Sequence, residues 1–363
     1  MEDVKNAGGF INGGQWLEFA KAAYDLGLLY PLLTGGEPLL HPDFKEILSG
    51  MLDMGLQVSI NSNGSMIDQE MAAWLGKHRP TRINITLYGA SADTYQALCG
   101  NGDAFYRVRD GVRYLRENNV LYKFNTSLTP YNIQDLDQIM EFAREMGAPI
   151  QVASYMFPPV RRDESMIGKN DRFSPEEAAF ARVKADYLQQ DQKWFLGQTE
   201  RYSRFIPIKK LEEIQKDKPE KTMEMKCRAG HCSFWVDWQG NMTNCGVCAT
   251  AKRSLRDCTL EDAWKEVHQN TKDIRVPAKC ASCPNQWLCH TCISMLCSEC
   301  GTCGGTPEYL CRMGEASARY YREFAEKYYP EESAKIFRRV NRVEAEACEN
   351  PDFAQDLCGL DGI

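Results

Sequence analysis

The sequence predicts an α/β protein, with parallel βα units over about the first 160 residues followed by helices and a small cysteine-rich α+β module. Three observations carry this expectation. Apolar runs of strand length alternate with amphipathic stretches up to residue 157, joined by short connections, which is the pattern of parallel strands with right-handed crossovers. One of those runs stops at two glycines, a carboxylate and a proline. Thirteen of the sixteen cysteines crowd between Cys227 and Cys311.

In order, Trp16, Phe19, Ala20 and Ala23 share a face of a helix that ends near Gly27. Leu28 to Leu33 reads as a strand. A second helix opens at His41-Pro42-Asp43, turns Phe44, Ile47, Leu48 and Met51 inward, and closes at Gly55. Val58 to Ile60 is a buried strand running into Asn61-Ser62-Asn63-Gly64, and a helix covers about residues 68 to 78. Ile83 to Tyr88 gives the next strand, Ser91 caps a short helix, and Phe105, Val108, Val112 and Leu115 mark a longer one. A strand near Tyr122 to Leu128, a helix with Ile133, Leu136, Met140 and Ala143, and a strand from Ile150 to Met156 complete five strands.

Composition narrows the partners. The chain has 363 residues, of which 43 are basic and 50 acidic, for a net charge of -7. No basic field favours nucleic acid or an anionic membrane, and small molecules or peptides fit better. No stretch reaches the roughly 18 apolar residues of a membrane helix. The amino terminus, with Glu2 and Asp3, lacks a signal pattern, so a cytoplasmic location is expected. In a reducing compartment that many cysteines argue for metal rather than disulfides.

The turn Thr34-Gly35-Gly36-Glu37-Pro38 lies at the carboxyl end of a predicted parallel strand, the edge where β/α folds place ligands. Two glycines leave the backbone open to a bound molecule, and Glu37 at the mouth suits an ammonium. A plain βα loop has the same composition. The stretch resembles the GGEP motif of radical S-adenosylmethionine (radical SAM) enzymes, whose loop binds the methionyl amino group of SAM. That resemblance implies cofactor contacts from Gly35, Gly36, Glu37 and Pro38. It adds Asn63, in the polar-Asn-Gly ending of a strand, and Thr86, where polar groups approach the SAM ribose. Asn-Gly is also an ordinary turn dipeptide, and threonine is common in strands.

A closed eight-unit barrel needs about 250 residues, too many for this stretch. The resemblance implies instead a partial (β/α)6 barrel lacking its first strand. In the family, the loop after that strand carries a C-x3-C-x2-C motif holding a [4Fe-4S] cluster that leaves one iron open for SAM. No such motif occurs in this sequence. Gly8, Gly9, Gly13 and Gly14 look like the downstream end of that loop, so the expectation is a sequence that begins late. The rival expectation is a homologue that no longer cleaves SAM.

After the last strand, Arg161 and Arg162 read as solvated charge, with a ligand-facing role as the alternative. Ser174-Pro175-Glu176-Glu177 is a strong helix start, with cap, proline and capping-box glutamate. Helices follow to about residue 216.

The cysteines then run Cys227-x4-Cys232-x12-Cys245, with Gly240 four residues short of Cys245. They continue as Cys280-x2-Cys283-x5-Cys289-x2-Cys292 and later Cys311. Cys-x2-Cys pairs place two sulfurs on one side of a turn, and eight thiolates close two four-ligand sites. By count alone, two structural zincs fit as well as two [4Fe-4S] clusters. The order of spacings resembles the SPASM extension of radical SAM enzymes that act on peptides and proteins. By that resemblance Cys227, Cys232, Cys245 and Cys292 hold one auxiliary [4Fe-4S] cluster, and Cys280, Cys283, Cys289 and Cys311 a second. The family usually has three residues where His290 and Thr291 stand, so Cys297, Cys300 and Cys303 are alternatives to Cys292. With Cys248 and Cys258 they are surplus, and Cys297-x2-Cys300-x2-Cys303 also has the spacing of a further metal site. Thr259 starts a helix between the arms, and residues 316 to 347 are helical with an interruption at Pro330.

The expected organisation is therefore a truncated barrel over 1–160, a helical connector over 161–225, a SPASM-like module over 226–315, and terminal helices with a loose tail over 316–363. The resemblance implies reductive cleavage of SAM to a 5'-deoxyadenosyl radical that abstracts hydrogen from a peptide or protein side chain. It also implies an electron donor such as flavodoxin or ferredoxin. The alternative is a non-catalytic iron-sulfur or zinc protein that binds a peptide or SAM.

Overall fold

The computed structural model describes residues 11–160, 163–216, 221–225, 227–247, 250–289 and 291–349. Expectations that fell on Arg161, Arg162, Cys248, His290 and the first and last residues lie outside this set. Helix α1, Gly13–Asp25, opens on a reciprocal cap: the Gln15 N–H donates to Asn12 Oδ1 at 2.9 Å, and the Asn12 N–H donates to Gln15 Oε1 at 3.1 Å. There follow β1 Leu32–Leu33, α2 Phe44–Asp53, β2 Ser59–Ser62, α3 Gln69–His78, β3 Arg82–Thr86, α4 Ala92–Cys99, α5 Asp103–Glu117, β4 Tyr122–Ser127, α6 Leu136–Glu145 and β5 Ile150–Ala153. The five strands form one sheet in the order β1-β2-β3-β4-β5, every neighbouring pair parallel.

The first strand is much shorter than its apolar run. The Leu28 N–H closes the end of α1 on the Ala23 carbonyl, and Pro31 has no N–H to give a ladder. Leu32 and Leu33 are the residues in register with β2, with the Pro31 carbonyl still accepting from the Ser59 N–H at 3.0 Å, and β1 lies at the sheet edge. The strands predicted to reach Tyr88 and Met156 likewise stop at Thr86 and Ala153.

The sheet has two unlike faces. Ile60, Ile83, Ile85, Phe124 and Ile150 are buried on one. The register places Asn61, Asn84, Lys123, Asn125 and Gln151 together on the other. There Asn84 Nδ2 donates to Asn61 Oδ1 at 2.7 Å, and Lys123 Nζ to Gln151 Oε1 at 2.8 Å. A parallel sheet covered by helices on both faces reads as near-continuous apolar runs. This alternation instead suits a sheet curved around a polar interior, as in a partial barrel.

Helix α5 lies directly on the turn after β2. A Cβ added at Gly111 would stand 2.9 Å from the Ile67 carbonyl oxygen and 3.1 Å from that of Gly64. Those are backbone atoms and cannot swing aside. Gly111→Ala is expected to destabilise the fold by about 1–3 kcal/mol, read as a lowered midpoint in urea, because overpacking must push α5 off the turn.

Beyond β5 come α7 Pro175–Gln189, α8 Gln192–Tyr202, α9 Ile208–Gln215, β6 Met223–Glu224, β7 Trp235–Val236, β8 Asn241–Thr243, β9 Lys252–Ser254, α10 Leu260–Lys272, β10 Arg275–Val276, α11 Ala278–Ala281, α12 Ile293–Cys300, α13 Glu308–Tyr328 and α14 Pro330–Glu349. Ser174 and Glu177 form the anticipated capping box on α7, and Pro330 opens α14 after the break. β7, β8 and β9 make a small antiparallel sheet, and β6 pairs antiparallel with β10.

The chain divides into two compact units. The first comprises residues 1–172, 222–277 and 292–305, and the second 173–221, 278–291 and 306–363. In the first, Ala23 of α1 packs with Met242, Leu255, Leu260, Ala263 and Val267, so the small sheet and α10 share a core with the barrel's opening helix. In the second, Val183, Phe195, Tyr202, Leu288, Tyr321 and Ala325 form a separate, aromatic-rich core.

Candidate cofactor sites

Because all five strands run the same way, their carboxyl ends share one edge, and the turn after β1 lies there. Gly35 has φ 151°, and a Cβ at Gly35 or at Gly36 would meet no protein atom within 4 Å. The space in front of the turn is thus left open by the chain itself, which fits a ligand drawn close to the backbone. Pro38 begins a single 3-10 turn, Pro38–Leu40, with Glu37 as its cap.

Glu37 is more engaged than its place at the mouth suggested. Its Oε1 accepts from Ser62 Oγ at 2.9 Å and from the Leu39 N–H at 3.2 Å, while Oε2 accepts from the Asn63 N–H at 2.7 Å. Each carboxylate oxygen still has lone-pair capacity for an ammonium. Burial pushes the Glu37 carboxyl above its ordinary value, and the bonds from Asn63, Leu39 and Ser62 oppose that only in part. Asn63 meets Glu37 through its backbone, and its side chain instead accepts from Ser65 N–H and Oγ. Ser62 joins the site as the hydroxyl that fixes Glu37. Tyr88 was not singled out from sequence either; burial raises its phenol, with the charges of Cys99 and Glu37 adding to the effect. Thr86 ends β3 on the same edge, paired in register with Asn125, whose buried Oδ1 has no hydrogen-bond partner among the described residues. That acceptor, facing the polar interior, is an unmet demand for a donor.

The cysteines sort by unit. Cys280, Cys283, Cys289 and Cys311 all fall in the second unit, and Cys227, Cys232, Cys245 and Cys292 all in the first. Burial pushes the Cys289 thiol up to about 12, reinforced by Cys311, Cys283 and Cys280. Cys289 thus feels the other three cysteines of its unit. Cys292 is raised by burial first, and then by Cys227 and Cys245. Cys245 Sγ also lies 3.1 Å from Ser294 Oγ. Cys232 is exposed. Among the described residues no three metal-binding side chains close on a single ion, and no disulfide joins the described cysteines. Both donor sets are all-sulfur and, Cys232 apart, half-buried, which suits iron-sulfur chemistry.

The surplus cysteines part company. Cys258 donates to the Ser254 carbonyl at 3.2 Å and packs against the core of the first unit, a structural role. Cys297 and Cys303 lie together, with their sulfurs 2.7 Å apart.

Comparison with known proteins agrees with this geometry. Residues 8–143 match the radical SAM superfamily. An AdoMet-dependent heme synthase of Methanosarcina barkeri (strain Fusaro / DSM 804) is 28% identical over 272 residues, spanning 72% of this chain and 76% of that protein. Streptococcus suis SuiB bound to the precursor peptide SuiA has a similar fold, with a TM-score of 0.60 and 18% identity over 83% of this chain and 69% of SuiB. Native anSMEcpe with bound AdoMet and Cp18Cys peptide gives a TM-score of 0.61 at 16% identity, covering 90% of this chain and 92% of that one. At such identities the solved structures speak to fold, and the likeness runs past the sheet into the cysteine-rich region. No helix among the described residues is long and apolar enough to cross a membrane. The likeness to the radical SAM superfamily thus rests on residues 8–143, where β1 to β4 and the glycine turn lie.

Proposed function

We propose that this chain binds S-adenosyl-L-methionine at the turn Gly35 to Pro38, carries two auxiliary [4Fe-4S] clusters, and modifies a peptide or protein side chain. The observation that carries the reading is the sorting of eight cysteines into two sets of four, one in each compact unit, downstream of an open glycine turn. Bound SAM would supply hydrogen-abstracting chemistry on one-electron reduction, and the clusters electron transfer. The residues do the holding. Glu37, fixed by Ser62 and Asn63, takes the methionyl ammonium. Gly35 and Gly36 let it approach, and Thr86 and Asn125 offer a hydroxyl and an acceptor to the ribose. A peptide substrate is supported by the peptide-bound SuiB and anSMEcpe structures of similar fold. The electron donor is of the flavodoxin or ferredoxin kind.

Glu37→Gln is expected to weaken SAM binding about tenfold or more in calorimetry, since a charged hydrogen bond is lost. The acid limb follows from the same group. Its carboxyl is raised above 4.5, so it protonates earlier as pH falls, and affinity should be full above that raised value and fade through it. Affinity unchanged in Glu37→Gln would sink this assignment.

A second reading is a cluster protein that binds SAM or peptide without turnover. Release of 5'-deoxyadenosine from SAM under a strong reductant separates the two. Formation supports the enzyme; tight binding without formation supports the binder.

A further inference from the structure

We propose that Cys297 and Cys303 form a reversible dithiol–disulfide pair, which clasps the segment carrying Glu299 beside the carboxyl end of β5. This goes beyond the function proposed above, since neither thiol belongs to the eight assigned to clusters.

The geometry is built by the end of α12. Gly301 takes φ 70°, its N–H donates to the Cys297 carbonyl at 3.0 Å, and the chain doubles back. The return brings Cys303 Sγ to 2.7 Å from Cys297 Sγ, only about 0.7 Å more than a disulfide bond. Cys300 is turned elsewhere: a Cβ on Gly305 would stand 2.3 Å from its Cβ and 2.8 Å from its Sγ, so glycine is required where it seats. The spacing C-x2-C-x2-C therefore does not act as three converging ligands here. It presents one pair and one bystander.

What the pair encloses gives it consequence. Glu299 lies between the two cysteines and accepts from Arg172 Nη1 at 2.7 Å, Arg172 Nη2 at 2.9 Å and Tyr155 Oη at 2.5 Å. The Ser298 carbonyl accepts from the Gly168 N–H at 2.8 Å, and Gly301 sits against Ile167. Tyr155 follows β5 by two residues, so the clasp stands on the sheet edge that carries the glycine turn. Closing the pair would lock that seat; opening it would leave the seat to the ion pair and the hydrogen bonds from Tyr155 and Gly168.

The step balances with a low-molecular-weight disulfide as oxidant. Each cysteine sulfur gives up its proton and one electron, a Cys297–Cys303 bond forms, the oxidant's S–S bond breaks, and two small thiols leave. A small dithiol reverses it.

The test uses the anaerobically reconstituted full chain, treated with oxidised glutathione or with dithiothreitol, then denatured, alkylated and mapped by mass. Expected is a Cys297–Cys303 linked peptide after oxidation, with about two fewer alkylatable thiols per chain, restored by dithiothreitol. Cys297→Ser and Cys303→Ser should abolish it, and Cys300→Ser should leave it. Hydrogen exchange over 297–303 and at Tyr155 should slow in the oxidised form. The proposal is overturned if no link appears while charge-transfer absorbance shows the clusters intact. It is equally overturned if Cys303→Ser lowers iron content, which would make these thiols metal ligands, or if exchange is the same in both forms.

Discussion

Glu299→Gln should destabilise the first unit by about 3–5 kcal/mol, the largest stability effect expected of a single substitution here. The Arg172 and Glu299 side chains are only 5% and 6% exposed, and the pair is bidentate. A guanidinium left without its carboxylate in that setting has little water to replace it. Arg172 also stands over the Tyr155 ring at 5.3 Å, and burial, then the Glu299 carboxylate, pushes the Tyr155 phenol far upward. That proton therefore stays on Tyr155 and serves Glu299. Urea unfolding followed by fluorescence measures the loss. A cost under about 1 kcal/mol would mark the pair as an ordinary surface contact. The double substitution Arg172→Met with Glu299→Met should recover much of the loss, because it removes both charges together.

Cys289→Ser should remove one cluster and spare the other. Iron and acid-labile sulfide should both fall by about half, from about eight to about four of each per chain. Cys289 stands among Cys311, Cys283 and Cys280 within the second unit, so its loss opens that set alone. Cys258→Ser is the control and should leave iron unchanged, since its thiol is spent on the Ser254 carbonyl and core packing. About two zincs and no sulfide in the parent protein would defeat the cluster assignment outright.

Much of this was legible from residue pattern. The five strands, the caps at Ser91 and Ser174 and the break before Pro330 all follow from local chemistry that acts over one or two turns. The two-residue β1 was not legible, because its apolar run is indistinguishable from a full strand until Leu28 is seen spending its N–H on α1. Glu37 was found by its glycines, but its tie to Ser62 and Asn63 spans twenty-five residues or more and needs the sheet register to appear. Spacing also had no means of showing that Cys289 and Cys292, with two residues between them, belong to different units. The close approach of Cys297 and Cys303 depended on the conformation of Gly301, which a cysteine count does not contain.

The backbone passes from one unit to the other at 172–173, 221–222, 277–278, 291–292 and 305–306. Neither half can accordingly be expressed as an uninterrupted fragment: scissors at 221–222, 277–278 or 291–292 would divide both, and at 172–173 or 305–306 would divide one. Ribosomal order adds a timing constraint: the unit that begins first waits for residues 292–305 before its own chain is complete.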